Sequence, residues 1–321
     1  MILSMRPPYD ITPKILNLII SISEKIGEVN ANYLSKQSPQ LRKQNRIKTI
    51  QSSLQIEGNT LTEDQITALV EKKRVIGPKK DVSEVLNAIK VYDEINNFKF
   101  YSEKDFLNAH LNLMSGLIQD AGQYRNQSVG ILKGNNIEHV APPFQNVPYL
   151  MKDLFGYLKD DDELTLIKSC VFHYEMEFIH PFTDGNGRMG RLWQTVILLK
   201  DYKVFEFLPF ETLISKTQDE YYKSLSNSDK SGKSTPFIEY MLGVIEKSLA
   251  QLLNYNNRIL KDIDRLEYFI NQGFKEFGRK DYMNVFKDIS SATASRDLKK
   301  GIELNLFESS GNLNKTKYHV K

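Results

Sequence analysis

The twelve residues from His180 to Arg191, HPFTDGNGRMGR, oblige two helices to meet across a short loop. Upstream, Phe172, Met176 and Ile179 recur at helical spacing and give one apolar face to a helix that runs to His180. Pro181 then discourages its continuation, because proline restricts the residue before it and brings no backbone donor. Gly185 and Gly187 admit backbone conformations closed to other residues, and a second helix is expected at Gly187 or Arg188 with Asn186 as its cap.

The rest of the chain has the same character. Its 321 residues, 40% hydrophobic, can bury a substantial core and suggest two domains, or one large domain with an appendage. Apolar runs such as Val196 to Leu199 are far shorter than a membrane span, and no signal peptide opens the sequence, so a cytoplasmic protein without a membrane partner is expected. The single cysteine, Cys170, lies among Ile167, Val171 and Phe172 and reads as a packing residue. With 43 basic and 40 acidic side chains, net charge is too near balance to imply a nucleic-acid or membrane partner for the whole chain.

Caps and turns divide the sequence into mostly helical segments. Helices are expected over 13–35, with Ile15, Leu18, Ile19, Ile22 and Ile26 on one face, and over about 40–57, ending at Gly58-Asn59. Glu57 thus falls at a helix C-terminus, where the dipole is unfavourable to a carboxylate and a nearby cation is expected. Thr62 to Gln65 resembles a capping box for a helix reaching Val75. Helical patterns follow over 82–98 and 103–118. Between 122 and 148, two strand-like runs, 128–132 and 137–140, flank Gly134-Asn135-Asn136 and fit a hairpin. Helices resume over 147–158, 163–179, 188–202, 217–225 and 235 to about 277, the last with a break expected near 254–257. The end of the chain reads as two short helices, 282–287 and 292–303, then strands 306–308 and 316–320, which is a winged helix-turn-helix pattern. The division expected is 1–80, 81–256 and 257–321.

The loop carries chemistry. Amides turned inward at a helix N-terminus form an anion nest, and Arg188 and Arg191, three residues apart, add two guanidinium forks on one face, aimed at the same anion. A polyphosphate suits such a site. Asp184 supplies a hard oxygen for Mg²⁺, and His180 can take a proton from an incoming hydroxyl near neutral pH. Base, metal ligand, nest and paired arginines are what in-line displacement at phosphorus requires.

Eight specified residues within this window match the motif of the Fic family, His-x-Phe-x-Asp/Glu-Gly-Asn-Gly-Arg-x-x-Arg, at every fixed position. The resemblance extends over roughly 80–245. It implies an all-α Fic-type helical bundle with a β-hairpin flap, an N-terminal inhibitory helix and a small C-terminal winged helix. It also implies protein adenylyltransferase activity: AMP passes from MgATP to a Ser, Thr or Tyr hydroxyl of a target protein, or of the chain itself or a homo-oligomer partner, with pyrophosphate released. His180 would be the base and Asp184 the Mg²⁺ ligand. Gly185, Asn186, Gly187, Arg188, Gly190 and Arg191 would hold the phosphates, with Tyr221 and Tyr222 near the nucleotide base. Val129, Gly130, Ile131 and Leu132 would form the flap that clamps the target. A second resemblance lies upstream: Ser53, Glu57 and Gly58 fit the inhibitory motif Ser/Thr-x-x-x-Glu-Gly/Asn, which pairs Glu57 with Arg191 and implies a restrained resting state.

Two other readings stay open. The winged helix could make the chain a nucleotide-sensing DNA-binding regulator, with Arg296, Lys299 and Lys300 on the recognition helix and Lys315 and Lys317 on the wing, although Asp297 and Glu303 dilute that face. Residues 257–321 hold 13 basic and 9 acidic side chains, mild for a duplex binder. The same loop could instead remove AMP from a modified target, with Glu57 orienting a water.

Overall fold

The computed structural model describes residues 6–32, 39–133, 136–159, 162–257, 262–270, 272–286, 289–311 and 316–320. It divides into two compact units, 1–252 and 253–321.

The first unit begins with α1 (Pro13–Asn32), whose first turn is capped by Thr12 Oγ1 accepting the Ile15 N–H, and which buries Ile15, Ile22, Ile26 and Val29. Next comes α2 (Pro39–Ile56), closed by Gly58 at φ +89°. In α3 (Glu63–Val70) the expected capping box is present, with Thr62 and Gln65 each satisfying the other's backbone N–H. The helix stops five residues short of Val75. Lys72 turns left-handed at φ +59°, and the N–H groups of Lys72 and Lys73 close back on Leu69 and Ala68, a Schellman ending built on lysine rather than glycine. Then follow α4 (Lys79–Asp93) and α5 (Glu103–Leu113). The hairpin is present as β1 (Gly130–Lys133) and β2 (Asn136–Val140), antiparallel, with a bulge after Ile131. Its turn residues Gly134 and Asn135 lie outside the described residues.

The centre of the unit is formed after α6 (Val147–Tyr157) by α7 (Thr165–Ile179) and α8 (Asn186–Leu198). Twelve of the fifteen residues of α7 and twelve of the thirteen of α8 are buried, as befits helices enclosed on every side. Phe106 of α5 meets Phe155, Phe182 and Trp193 with ring centroids 5.1–5.4 Å apart, locking α5, α6, α8 and the loop between α7 and α8 into one aromatic core. Cys170 is buried there, and burial pushes its thiol up to about 12, which suits packing and not reactivity. Beyond it lie α9 (Glu211–Lys216), α10 (Gln218–Ser231), longer than expected and ended by Gly232 at φ +65°, and α11 (Thr235–Asn257).

The second unit contains α12 (Asp262–Ile270), β3 (Glu276–Gly278), α13 (Arg279–Val285), α14 (Ser291–Glu303), β4 (Phe307–Ser310) and β5 (Lys317–Val320). The strands form an antiparallel sheet in the order β3-β5-β4 around Leu266, Phe269, Phe277, Tyr282, Leu298 and Phe307. The helix expected to reach Phe277 is therefore three elements: α11 ends at Asn257, α12 ends before Gly273 at φ +79°, and Phe277 sits in a strand paired with Tyr318. Lys315 of the expected wing lies outside the described residues. Among the described residues no helix is long and apolar enough to cross a membrane.

Candidate active site

Because α7 is enclosed on all sides, it delivers His180 to a fixed place. His180 caps the C-terminus of the helix in a left-handed conformation (φ 50°, ψ 61°), unusual for a residue with a Cβ. The loop that follows is closed by Asn186, whose Oδ1 accepts the Phe182 N–H and whose Nδ2 donates to the Phe182 carbonyl, both at 2.9 Å. This corrects one expectation. The N-cap of α8 is Gly185 at φ +87°, and Asn186, the first helical residue, spends its amide on the loop instead. The first turn of α8 still leaves its leading N–H groups without intrahelical acceptors, as a nest requires.

His110 of α5 supports the loop from behind. Its ring stacks on Phe182 at 3.5 Å and 6°, Nδ1 accepts the Gly122 N–H, and Nε2 therefore carries the proton given to the Asp184 carbonyl at 3.0 Å. Burial lowers His110 to about 4, so it stays neutral in that tautomer. Asp184 turns its carboxylate outward: Oδ1 accepts from the Gly185 N–H and Arg188 Nη2, and the side chain is 45% exposed.

The two arginines leave one face of α8 but do not converge on one point. Arg188 donates through Nη1 to Glu84 at 3.0 Å and through Nη2 to Asp184 at 2.8 Å. Arg191 donates through Nε to Ser53 Oγ at 3.1 Å and through Nη2 to the Ser53 carbonyl at 2.9 Å and Glu57 Oε1 at 2.7 Å. The four-residue spacing of Ser53 and Glu57 puts both on one side of the end of α2, facing Arg191, so the cation expected beside Glu57 is there. Gly187 makes room for it: a Cβ at that position would stand 2.5 Å from Glu57 Oε1. Burial opposes the Arg191 charge, and Glu57 and Tyr221 more than offset this, holding its pKa above the ordinary value. Arg188 Nε and Arg191 Nη1 are buried and find no acceptor among the described residues.

A cavity of about 210 Å³ opens beside these groups, walled by His180, Glu57, Gly187 and Arg191 together with Tyr221 and Tyr222 of α10. Tyr221 is buried with its hydroxyl 3.0 Å from His173 Nε2, while Tyr222 is more exposed. Gly190 faces elsewhere: a Cβ there would strike His173 and Glu177, so it allows α8 to lie close against α7. Val129 precedes the hairpin, and Gly130, Ile131 and Leu132 lie in β1, which pairs only with β2 among the described strands.

Sequence reading missed several of the walls. Tyr174, Glu177 and Phe178 of α7 and Leu225, Ser226 and Asp229 of α10 also line the cavity. The latter three follow Tyr222 at helical spacing, a signal that was available. Glu84, a buried acid reaching Arg188 from a separate helix, left none.

A family model described as the Fic/DOC family matches residues 100–198, the span from α5 through the loop to the end of α8. A Fic family protein from Desulfovibrio desulfuricans G20, solved as a crystal structure, is 39% identical, with 98% of each chain covered and a TM-score of 0.77. The chain belongs to the Fic family. Among curated relatives of this Fic chain, "Protein adenylyltransferase Fic" of Nematostella vectensis is 28% identical over 256 residues, 74% of the chain and 57% of the relative. "Protein adenylyltransferase fic-1" of Caenorhabditis elegans is 30% identical over 217 residues, 62% of the chain and 39% of the relative. The chain thus spans about half the length, or less, of these relatives. The mainly helical Fic-type bundle with a β-hairpin expected from the resemblance is the fold found, and where a small C-terminal winged helix was expected the second unit holds helices and a three-stranded antiparallel sheet.

Proposed function

We propose that the chain is a self-restrained protein adenylyltransferase that moves AMP from MgATP to a hydroxyl of a target protein or of itself. The observation that carries this reading is the assembly, at one cavity, of His180, a nest-forming helix N-terminus and Arg191 held by Glu57 at 2.7 Å. In the reaction the imidazole of His180 takes the proton as the target oxygen bonds to the α-phosphorus. The bond from that phosphorus to the β-phosphate breaks, and pyrophosphate departs. The buried donors of Arg188 and Arg191 that lack acceptors, with the leading amides of α8, are suited to the phosphate oxygens. Asp184, with its carboxylate 45% exposed beside the helix N-terminus, is the residue that would hold a Mg²⁺ ion brought in with the phosphates. That ion would supply charge neutralisation at the phosphates.

Glu57 occupies the guanidinium that a γ-phosphate needs, so ATP enters with its α-phosphate misaligned until the pair opens. Transfer by the Glu57→Gly protein should carry label from α-³²P-ATP and none from γ-³²P-ATP. Transfer of the γ label would replace AMP transfer by phosphorylation.

A second reading concerns residues 253–321, for which we propose duplex DNA binding by a winged helix. The observation favouring it is the place of Asp297. Expected to dilute the basic face of α14, it is instead buried and paired with Arg265 at 2.5 and 2.8 Å, which leaves Ser291, Ser295, Arg296 and Lys299 exposed, with Glu303 the one exposed carboxylate on that helix. The full chain should retard duplex DNA in a salt-dependent way that Arg296→Ala with Lys299→Ala abolishes; retardation unchanged by that pair would remove the reading.

A further inference from the structure

Arg125 lies between α5 and the hairpin, is 3% exposed, and takes no part in the chemistry above. Among the described residues, every acceptor it has is a main-chain carbonyl. Nε donates to His180 at 2.8 Å, Nη2 to Ile179 at 3.3 Å and to Pro142 at 2.6 Å, and Nη1 to Gln127 at 2.9 Å. Its own backbone N–H donates to the Pro181 carbonyl at 2.9 Å. The five acceptors fall into three groups: the end of α7 at 179–181, the chain entering β1 at 127, and the chain leaving β2 at 142. A buried guanidinium ordinarily takes a carboxylate, and here burial without one lowers its pKa. What the charge finds instead are the unpaired carbonyls and partial negative charge at the C-terminus of α7.

We propose that Arg125 is a positioning residue that fixes both stems of the hairpin to the backbone of His180. A target strand added to the hairpin is thereby held at a set distance from the imidazole. Two features support it. The left-handed conformation of His180 is costly for a non-glycine residue and persists only where its surroundings impose it, and the bonds from Arg125 to the carbonyls of Ile179, His180 and Pro181 hold the backbone on both sides of it. The planar fork is also the only side chain with enough fixed donors for four carbonyls from three segments; a lysine ammonium has three donors around one point. The inference rests on the reading of the site as an adenylyltransferase.

The test compares Arg125→Lys and Arg125→Gln in the Glu57→Gly protein. MgATP affinity by calorimetry should stay within about twofold, because Arg125 itself does not line the cavity. The kcat of self-modification should fall on the order of 100-fold, the cost of misplacing reacting groups by about an ångström. Amides of 130–133 and 136–140 should exchange faster with deuterium. Full transfer in both variants would overturn the proposal, and so would loss of MgATP binding or of a cooperative melt in both, which would make Arg125 a general structural residue. A Glu57→Gly parent that transfers no AMP would instead overturn the reading of the site, and hairpin exchange would still decide whether Arg125 is the tether.

Discussion

Arg191 carries its charge inside the protein, with a side chain only 1% exposed, and the carboxylate of Glu57 and the two oxygens of Ser53 are what it holds. Breaking a buried ion pair leaves an uncompensated charge; Glu57 is 25% exposed, so its removal should cost nearer 1–2 kcal/mol than the fuller penalty of about 3–5. Glu57→Gly is therefore expected to melt lower than the parent without nucleotide, and MgATP, by replacing the lost carboxylate, to raise its Tm more than it raises that of the parent. Equal shifts in the two proteins would contradict this. His173, beneath Gly190, makes a second prediction. Its Nδ1 lies 2.7 Å from Gln194 Oε1 and its Nε2 3.0 Å from the Tyr221 hydroxyl, and burial lowers it to about 3. Above pH 6.5 it is neutral folded and unfolded, and its contribution is whole. As pH falls toward 3 the unfolded chain takes up a proton that the folded one refuses, and that contribution is lost. Between pH 6.5 and 4.5 the parent should lose on the order of 2–3 kcal/mol that His173→Gln does not, read from urea midpoints across pH.

At the scale of elements, the pair Arg265–Asp297 joins α12 to α14, with the Tyr282 hydroxyl of α13 donating to the same carboxylate at 3.2 Å. Asp297→Ala removes the carboxylate that takes two hydrogen bonds from the buried Arg265 and should destabilise residues 253–321 by about 3–5 kcal/mol, measured as lost hydrogen-exchange protection of α12 and α14 amides in the full chain. Unchanged protection would contradict the assignment. The sequence placed a helix over 292–303, close to α14, yet it could not say that Asp297 points inward, because its partner lies 32 residues away. Missed elements have the same cause. Six-residue α9 is too short for periodicity, and three-residue β3 takes its identity from pairing with β5, forty residues on. Where caps and spacing are local, as in α1, α2 and the capping box of α3, sequence and structure agree.

For the whole molecule, the two segments that meet at the cavity, Ser53 to Gly58 and His180 to Arg191, are separated by more than a hundred residues and were legible because each carries its own pattern. The supports were not legible. Arg125 acts through carbonyls, which every residue possesses, and Glu84 is one acid among many until α4 brings it to Arg188. The central claim is that this cavity transfers AMP and that Glu57 restrains it. It is tested most directly by incorporation of label from α-³²P-ATP into protein by the parent, Glu57→Gly, and Glu57→Gly with His180→Ala. A charge-assisted contact of about 1.5–3 kcal/mol restored between Arg191 and phosphate corresponds to a rate gain of roughly 10- to 100-fold. Glu57→Gly should exceed the parent by that factor, and adding His180→Ala should return incorporation to background. Equal incorporation by the parent and Glu57→Gly, or label that survives loss of His180, would contradict the account.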